Sequence, residues 1–191
     1  MSELRDSIIA MVAKWGYERR AEPFELSSGY LSHDYVDAKR ALAHGTCLQR
    51  VGEAILELTQ QAGVEFDAAG GMTLGADPLA HAVAFTAQKL WFSVLKDEKL
   101  HGKRQRIVGA TLTPGLPVLL LDDVATTGRS ILDALDALEP FQVDVVMAVT
   151  LVDRGETTRQ RLRERGVRVY EPLITYDDLG IEPVPDGRVI A

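Results

Sequence analysis

Residues 118–130 read VLLLDDVATTGRS, and this stretch decides the fold of the chain. The four apolar residues at its start predict a buried strand, and the two adjacent carboxylates that follow are expected to end that strand. A turn of small residues around Gly128 then leads into an apolar-periodic helix, predicted over Ser130–Leu138. A buried strand that passes directly into a helix is the repeating unit of α/β folds with a parallel sheet.

The same alternation of strand and helix extends along the chain. Apolar spacing predicts a helix that begins near Leu4 and ends near Gly16, and a second helix over Gly45–Gln61. Residues 21–40 read as short strands and turns. The later elements are expected to be a strand ending at 66–71, a helix at 78–89, a strand at 91–95, a polar excursion at 96–115, a strand at 143–152, a helix at 157–165 and a strand at 167–170. This order implies right-handed crossovers, with ligands at the carboxyl ends of the strands.

Length and composition exclude several classes of protein. The 191 residues are 46% hydrophobic, which suits one α/β domain over residues 1–191. The net charge of −7, with no long basic block, argues against nonspecific binding of nucleic acid. No apolar run approaches the ~20 residues of a membrane span, and the N-terminus lacks the apolar core of a signal peptide, so a cytoplasmic location is expected. The single cysteine, Cys47, excludes an internal disulfide and a cysteine-based zinc site.

The end of the central strand suits a sugar phosphate. The N-terminus of the following helix offers free backbone N–H groups and a positive dipole end to a phosphate. Asp122 and Asp123 can accept hydrogen bonds from ribose hydroxyls, or lie near a magnesium-bound diphosphate. The alternative is an ordinary loop with surface acids, since many strands end in Asp. The whole string in its strand–loop–helix setting favours the sugar-phosphate interpretation.

Three further segments have the composition of a binding site, and each has an ordinary structural alternative. Glycines in 70–78, GGMTLGADP, let the backbone approach a diphosphate, but a tight turn also needs glycine. Residues 96–106, KDEKLHGKRQR, could close over a diphosphate, but most charge runs are simply solvated. Arg154 follows a predicted strand, where its guanidinium could hold a carboxylate or pair with Asp153 or Glu156 on the surface.

Taken in order, these motifs resemble the orotate phosphoribosyltransferases, a branch of the type I phosphoribosyltransferases. The acidic pair with its Thr-Thr-Gly loop resembles the family's motif for phosphoribosyl diphosphate (PRPP), and the GADP ending resembles its diphosphate loop. Lys-x-x-Lys-x-His-Gly resembles its catalytic loop, and residues 26–37 resemble the hood that covers the base. The resemblance covers residues 24–179 and implies a type I phosphoribosyltransferase-like parallel sheet flanked by helices. Residues 1–40 would contribute the small N-terminal hood.

The resemblance also implies an activity, which is transfer of the phosphoribosyl group of PRPP to orotate in pyrimidine biosynthesis, giving orotidine monophosphate and diphosphate. It implies Mg²⁺ held mainly by PRPP, and a homodimer whose subunits share the basic loop. The implied catalytic residues are Lys96, Lys99, His101 and Asp123. Those implied for PRPP are Gly71, Met72, Thr73, Leu74, Gly75, Asp122, Asp123, Val124, Ala125, Thr126, Thr127, Gly128, Arg129 and Ser130. Those implied for the base are Thr126, Arg154 and Tyr35.

Two segments depart from the family pattern. Leu95 stands where the basic loop usually begins with a cation, and Ser27, Tyr30 and Leu31 stand where the hood usually carries one. Lys39 and Arg40 are the cations that could compensate for the hood. A lost charged hydrogen bond costs roughly 1.5–3 kcal/mol. The departures keep two alternatives open. One is a phosphoribosyltransferase for another base, and the other is a non-catalytic sensor of PRPP or a nucleotide.

Overall fold

The computed structural model describes residues 3–25, 31–96 and 106–181. In these ranges the helices are α1 (Glu3–Trp15), α2 (Ala38–Leu42), α3 (Gly45–Gln61), α4 (Asp77–Ala87), α5 (Arg129–Leu138) and α6 (Thr158–Glu164). The strands are β1 (Tyr17–Glu25), β2 (Leu31–Val36), β3 (Ala68–Met72), β4 (Leu90–Val94), β5 (Ile107–Gly109), β6 (Pro117–Ala125), β7 (Asp144–Asp153) and β8 (Tyr170–Thr175). Short 3-10 helices span Glu139–Phe141 and Asp177–Leu179.

The larger sheet has six strands in the order β5-β4-β3-β6-β7-β8. Its neighbouring strands pair in parallel, except that β5 is antiparallel to β4 at one edge. The first two strands, β1 and β2, form a separate antiparallel hairpin within the segment that the resemblance assigns to the hood. The predicted α/β fold with a mainly parallel sheet flanked by helices is therefore confirmed.

Both faces of the sheet are covered, which explains the unbroken apolar run at the start of the central strand. Leu119 and Leu121 belong to the hydrophobic cluster that contains buried residues of α1–α4. Val118 and Leu120 belong to the cluster that contains buried residues of α5 and α6. Side chains alternate between the two faces of a strand, so a strand buried on both faces needs apolar residues at consecutive positions.

Three predictions about the larger sheet were wrong, and the stretch 21–40, predicted as short strands and turns, also contains the start of helix α2. The acidic pair does not end the central strand, because β7 is long enough to pair with β6 as far as Ala125, opposite Asp153. The polar excursion contains β5, which adds to the edge of the sheet beside β4. The last strand begins only at Tyr170, where pairing with β7 starts, and its edge position tolerates Pro172.

The described ranges also bear on the hood positions and on membrane spans. Ser27 and Tyr30 lie outside the described residues, between the two strands of the hood. No helix in the described ranges combines the length and apolar character needed to cross a membrane.

Candidate active site

The loop between β6 and α5 has the form of an anion cradle. Gly128 adopts a left-handed conformation (φ +69°) as the N-cap of α5, and no side chain caps the first turn. The N–H groups of that turn therefore keep their hydrogen-bonding capacity. A pocket of about 40 Å³ is lined by Asp122 and residues 124–130. This is room for on the order of three water molecules, which is the size range of a phosphate group.

The two carboxylates at the end of β6 differ in environment. Asp122 is 4% exposed and accepts a hydrogen bond from the backbone N–H of Asp123 (3.1 Å). Burial, reinforced by the charge of Asp123, raises the pKa of Asp122 to about 8. The Asp123 carboxylate accepts a hydrogen bond from the N–H of Val124 (2.9 Å) and has a cation beside it. Near neutral pH the Asp122 carboxyl is therefore mostly protonated.

The cation beside the acidic pair is Lys39, which the site predicted from the sequence did not include. Its Nζ donates to Asp123 Oδ2 at 2.8 Å, and the lysine side chain is 54% exposed. Burial lowers the pKa of Lys39, but the hydrogen bond and charge of Asp123 outweigh this effect and raise it. Lys39 lies in α2, whose N-cap is Asp37, directly after the hood. The sequence offered Lys39 only as a possible replacement, with Arg40, for the cations missing from the hood, and gave no sign of its contact with Asp123.

The glycine-rich loop after β3 packs against the same carboxylate. A Cβ added to Gly75 would lie 2.5 Å from Asp123 Oδ1, so only glycine fits at this approach. The Thr73–Leu74 peptide is cis. Gly71 and Met72 are buried residues of β3, so the loop itself is shorter than the predicted binding segment. The loop and the acidic pair are thus brought together, as expected for neighbouring parallel strands.

Arg154 lies where the sequence placed it, directly after β7. Its Nε donates to Thr126 Oγ1 at 2.6 Å, and its backbone N–H donates to Ala125 O at 3.0 Å. Two residues predicted to contact the same ligand therefore touch each other. Because Thr126 engages Nε, the two terminal nitrogens are the donors that the guanidinium can offer to a planar anion.

The hood approaches the site through Tyr35. The ring of Tyr35 packs edge to face on Phe24, with 5.2 Å between centroids, and the guanidinium of Arg20 lies 4.2 Å from its centroid. Tyr35 is close enough to Lys39 to affect the pKa of that lysine. Phe24 and Tyr35 therefore form an aromatic pair on the hairpin, and the role of Tyr35 as a wall for the base stays a prediction.

The predicted catalytic loop is described only at its two ends. The N–H of Leu95 donates to Arg106 O (2.7 Å), and Arg106 Nε donates to Leu95 O (3.0 Å). Lys96, which follows Leu95 in the chain, is exposed. Lys99 and His101 lie outside the described residues, so their roles stay predictions.

Within residues 3–25, 31–96 and 106–181, no group of three or more His, Cys, Asp or Glu side chains is arranged to hold a metal ion. The acidic pair offers two carboxylates, and Lys39 occupies one of them. This donor set suits a divalent cation that brings most of its own ligands.

Comparisons with known proteins agree with this geometry. A family model described as the phosphoribosyl transferase domain matches residues 42–165. The orotate phosphoribosyltransferase of Aquifex aeolicus is 37% identical over 172 residues, covering 87% of this chain and 92% of that protein. The enzyme of the same name from Methanopyrus kandleri is 42% identical over 156 residues, covering 82% and 81%. The crystal structure of Mycobacterium tuberculosis orotate phosphoribosyltransferase in complex with PRPP has a TM-score of 0.75 at 31% identity, covering 93% of this chain and 99% of that one.

Proposed function

This chain belongs to the orotate phosphoribosyltransferase family, and we propose that it transfers the phosphoribosyl group of PRPP to orotate, giving orotidine monophosphate and diphosphate in pyrimidine biosynthesis. The matches to known proteins confirm the family and the type I fold that the motifs predicted. One observation carries the assignment of the site. The loop ending at Gly75 and the cation of Lys39 both contact Asp123, at the strand end where Arg154 is held on Thr126.

In this proposal the phosphoribosyl end of PRPP binds at the carboxyl end of β6. The 5-phosphate occupies the pocket of residues 125–130 and accepts hydrogen bonds from N–H groups at the start of α5. The ribose hydroxyls donate to Asp122 and Asp123. Such donors stabilise the ionised carboxylate, so binding would lower the raised pKa of Asp122.

The diphosphate lies on the loop Thr73–Gly75, with Gly71 and Met72 forming its root in β3. Lys39 is within reach of this end because it already contacts Asp123. Asp122 and Asp123 would lie near a magnesium ion held mainly by PRPP, and that ion would supply positive charge that makes the diphosphate a better leaving group.

The chemistry needs positioning and charge stabilisation rather than a covalent enzyme intermediate. The C1–O bond of PRPP breaks, the diphosphate takes the electron pair, and the ribose passes through an oxocarbenium-like state. The ring nitrogen of orotate then forms the new bond to C1 from the opposite face, and its N–H bond breaks as the proton passes to solvent. Lys96, together with Lys99 and His101 of the catalytic loop, would stabilise the departing diphosphate, and Lys99 or His101 would supply a proton.

The base is held by the side chains at the end of β7. The terminal nitrogens of Arg154 suit the carboxylate of orotate, and Thr126 contacts the pyrimidine ring from the adjacent loop. Tyr35 covers the ring from the hood side. A carboxylate-binding arginine favours orotate over bases that lack this group, which argues against the alternative acceptors that Leu95, Ser27 and Tyr30 left open.

We also propose that the protein acts as a homodimer in the cytoplasm, with the catalytic loop shared between subunits. Support comes from apolar side chains that are uncovered in the single chain. Phe85 of α4 is 81% exposed, and Leu90 and Trp91 of β4 are 51% and 39% exposed. A cleft of about 540 Å³ beside Phe85, between α3 and α4, continues this surface.

Steady-state assay with orotate, PRPP and magnesium tests the proposed reaction. The wild-type protein should form orotidine monophosphate, and Asp123→Asn should lower kcat/KM by about 100-fold. Asp133→Asn is the matched control, because Asp133 lies on α5 and pairs only at 3.8 Å with Arg129. Absence of turnover by the wild-type protein, or equal activity of the two variants, would contradict the proposal.

A further inference from the structure

A buried network behind the base site ends on Tyr170, a residue outside the site itself. The network begins at Arg154, whose backbone N–H is bonded to Ala125 at the end of β6 and whose side chain is bonded to Thr126 in the following loop. These two hydrogen bonds position Arg154 itself. The turn after β7, which carries Arg154, is held by other groups.

The turn is held by the carboxylate of Asp153, which is 8% exposed. Its Oδ1 accepts hydrogen bonds from the N–H of Gly155 (3.0 Å) and from Thr158 Oγ1 (3.2 Å). Its Oδ2 accepts a hydrogen bond from the hydroxyl of Tyr170 (2.7 Å). One carboxylate therefore joins the turn after β7, the start of α6 and the start of β8.

The same turn presses directly on Thr126. A Cβ added to Gly155 would lie 1.7 Å from Thr126 O, and Thr158 Oγ1 is 3.4 Å from that carbonyl. Any rotation of the Asp153 carboxylate would therefore displace Gly155 and Thr158, and with them both groups expected to contact the base.

Tyr170 sets the orientation of that carboxylate. Its side chain is 2% exposed, and its hydroxyl is bonded to Thr150 Oγ1 (2.8 Å) as well as to Asp153. Burial and the charge of Asp153 raise the pKa of Tyr170, so the phenol keeps its proton and remains a donor. Burial also raises the pKa of Asp153, and the bond from Tyr170 is foremost among the contacts that oppose this rise.

We propose that Tyr170 is a positioning residue that, through Asp153, aligns Arg154 and Thr126 for a carboxylated pyrimidine and so sets the affinity for the acceptor. The inference rests on the proposed function of the site. It assigns Tyr170 a larger effect on the base than on PRPP, because the network holds Arg154, meets the phosphate pocket only at Ala125 and Thr126, and bypasses the glycine-rich loop.

Tyr170→Phe tests the inference because it removes one hydroxyl and little else. KM for orotate should rise about tenfold, with KM for PRPP within about twofold and kcat within about threefold of wild type. Thr59→Val is the matched control, since it removes a buried hydroxyl that donates to Leu56 O (2.9 Å) in α3, away from the site. Its kinetic constants should equal those of the wild type.

A double-mutant cycle separates positioning from general loosening of the fold. In an Arg154→Ala background, Tyr170→Phe should change KM for orotate by less than about threefold, because only the part of its effect that passes through Thr126 remains. An unchanged KM for orotate in Tyr170→Phe, equal changes for both substrates, or an undiminished effect without Arg154 would overturn the inference while leaving the proposed function intact. A wild-type protein that does not use orotate would overturn both.

Thr150→Val keeps the inference testable should Tyr170→Phe not fold. It leaves the bond from Tyr170 to Asp153 in place and removes only the hydroxyl that supports the phenol. KM for orotate should then rise about threefold with KM for PRPP unchanged. Equal kinetic constants for Thr150→Val and the wild type would count against the network.

Discussion

The two ends of the site are built in different ways. The phosphate end is made largely of backbone, with the uncapped first turn of α5, the left-handed Gly128 and the close approach of Gly75 to Asp123. The base end is made of side chains, with Arg154 bonded to Thr126 and supported from behind by Asp153. Backbone sites depend on a few glycines, whereas a side-chain site can be retuned by single substitutions. Recognition of PRPP should therefore be robust, and the choice of acceptor should be adjustable.

Removal of Arg154 should give the largest effect, and only binding at the base end should be weakened. Arg154→Ala should lower kcat/KM for orotate by about 100-fold, since a charged, bidentate interaction is lost. The dissociation constant for PRPP, measured by calorimetry, should change by less than about twofold. Arg165→Ala is the control, because Arg165 makes an exposed ion pair with Asp136. A comparable loss of PRPP affinity in Arg154→Ala would break the division into two ends.

A methyl group at Gly75 should damage the opposite end. The new Cβ would lie 2.5 Å from Asp123 Oδ1, so Gly75→Ala must displace the loop or the carboxylate. A displacement of about 1 Å in a binding group can lower activity by roughly 10- to 100-fold. We therefore expect KM for PRPP to rise about 30-fold. Gly45→Ala adds the same methyl group where no atom lies within 4 Å, and its KM should be unchanged. Equal KM values for PRPP in the two variants would show that the close approach of Gly75 to Asp123 does not affect PRPP binding.

The ion pair of Lys39 should have a moderate effect. Lys39→Ala removes the cation 2.8 Å from Asp123, and KM for PRPP should rise about tenfold. Arg40→Ala removes the neighbouring cation, which is exposed and 3.5 Å from Glu18, and should change KM by less than about twofold. If the two substitutions behave alike, Lys39 is only a surface ion pair and does not replace a cation of the hood.

Asp122 should have the smallest kinetic effect but a distinctive dependence on pH. Its pKa is raised to about 8 in the folded protein, against about 3.9 in an unfolded chain. The folded state therefore binds the proton more tightly, and the stability contributed by this group is lost as pH rises from about 4 to about 8. Asparagine cannot ionise, so Asp122→Asn avoids that loss and should gain about 5 °C in Tm relative to wild type between pH 5 and pH 8.5.

The same substitution should lower activity, because the amide is a weaker acceptor for a ribose hydroxyl. A fall in kcat/KM of about threefold is expected at pH 8. A Tm difference between variant and wild type that does not change with pH would show that Asp122 is already ionised in the folded protein at pH 5.

The features that could be predicted from the sequence are those that depend on a few consecutive residues. The acidic pair with its Thr-Thr-Gly loop, the GADP loop and the arginine after β7 each need only a few neighbouring residues to be recognised. Helix α3 was predicted with its observed bounds because its apolar spacing is regular over 17 residues. The end of β6 was misplaced because pairing with β7, and not local composition, decides how far it continues.

The sequence by itself determined the α/β class and the family and predicted the chemistry of the phosphate end, because hydrophobic periodicity and glycine spacing are local properties of the chain. Only the tertiary structure decided which distant side chains complete the site. Lys39 meets Asp123 across 84 positions, and Tyr170 meets Asp153 across 17. Such contacts depend on strand order and register, which bring together residues whose own neighbours in the chain carry no sign of the partner.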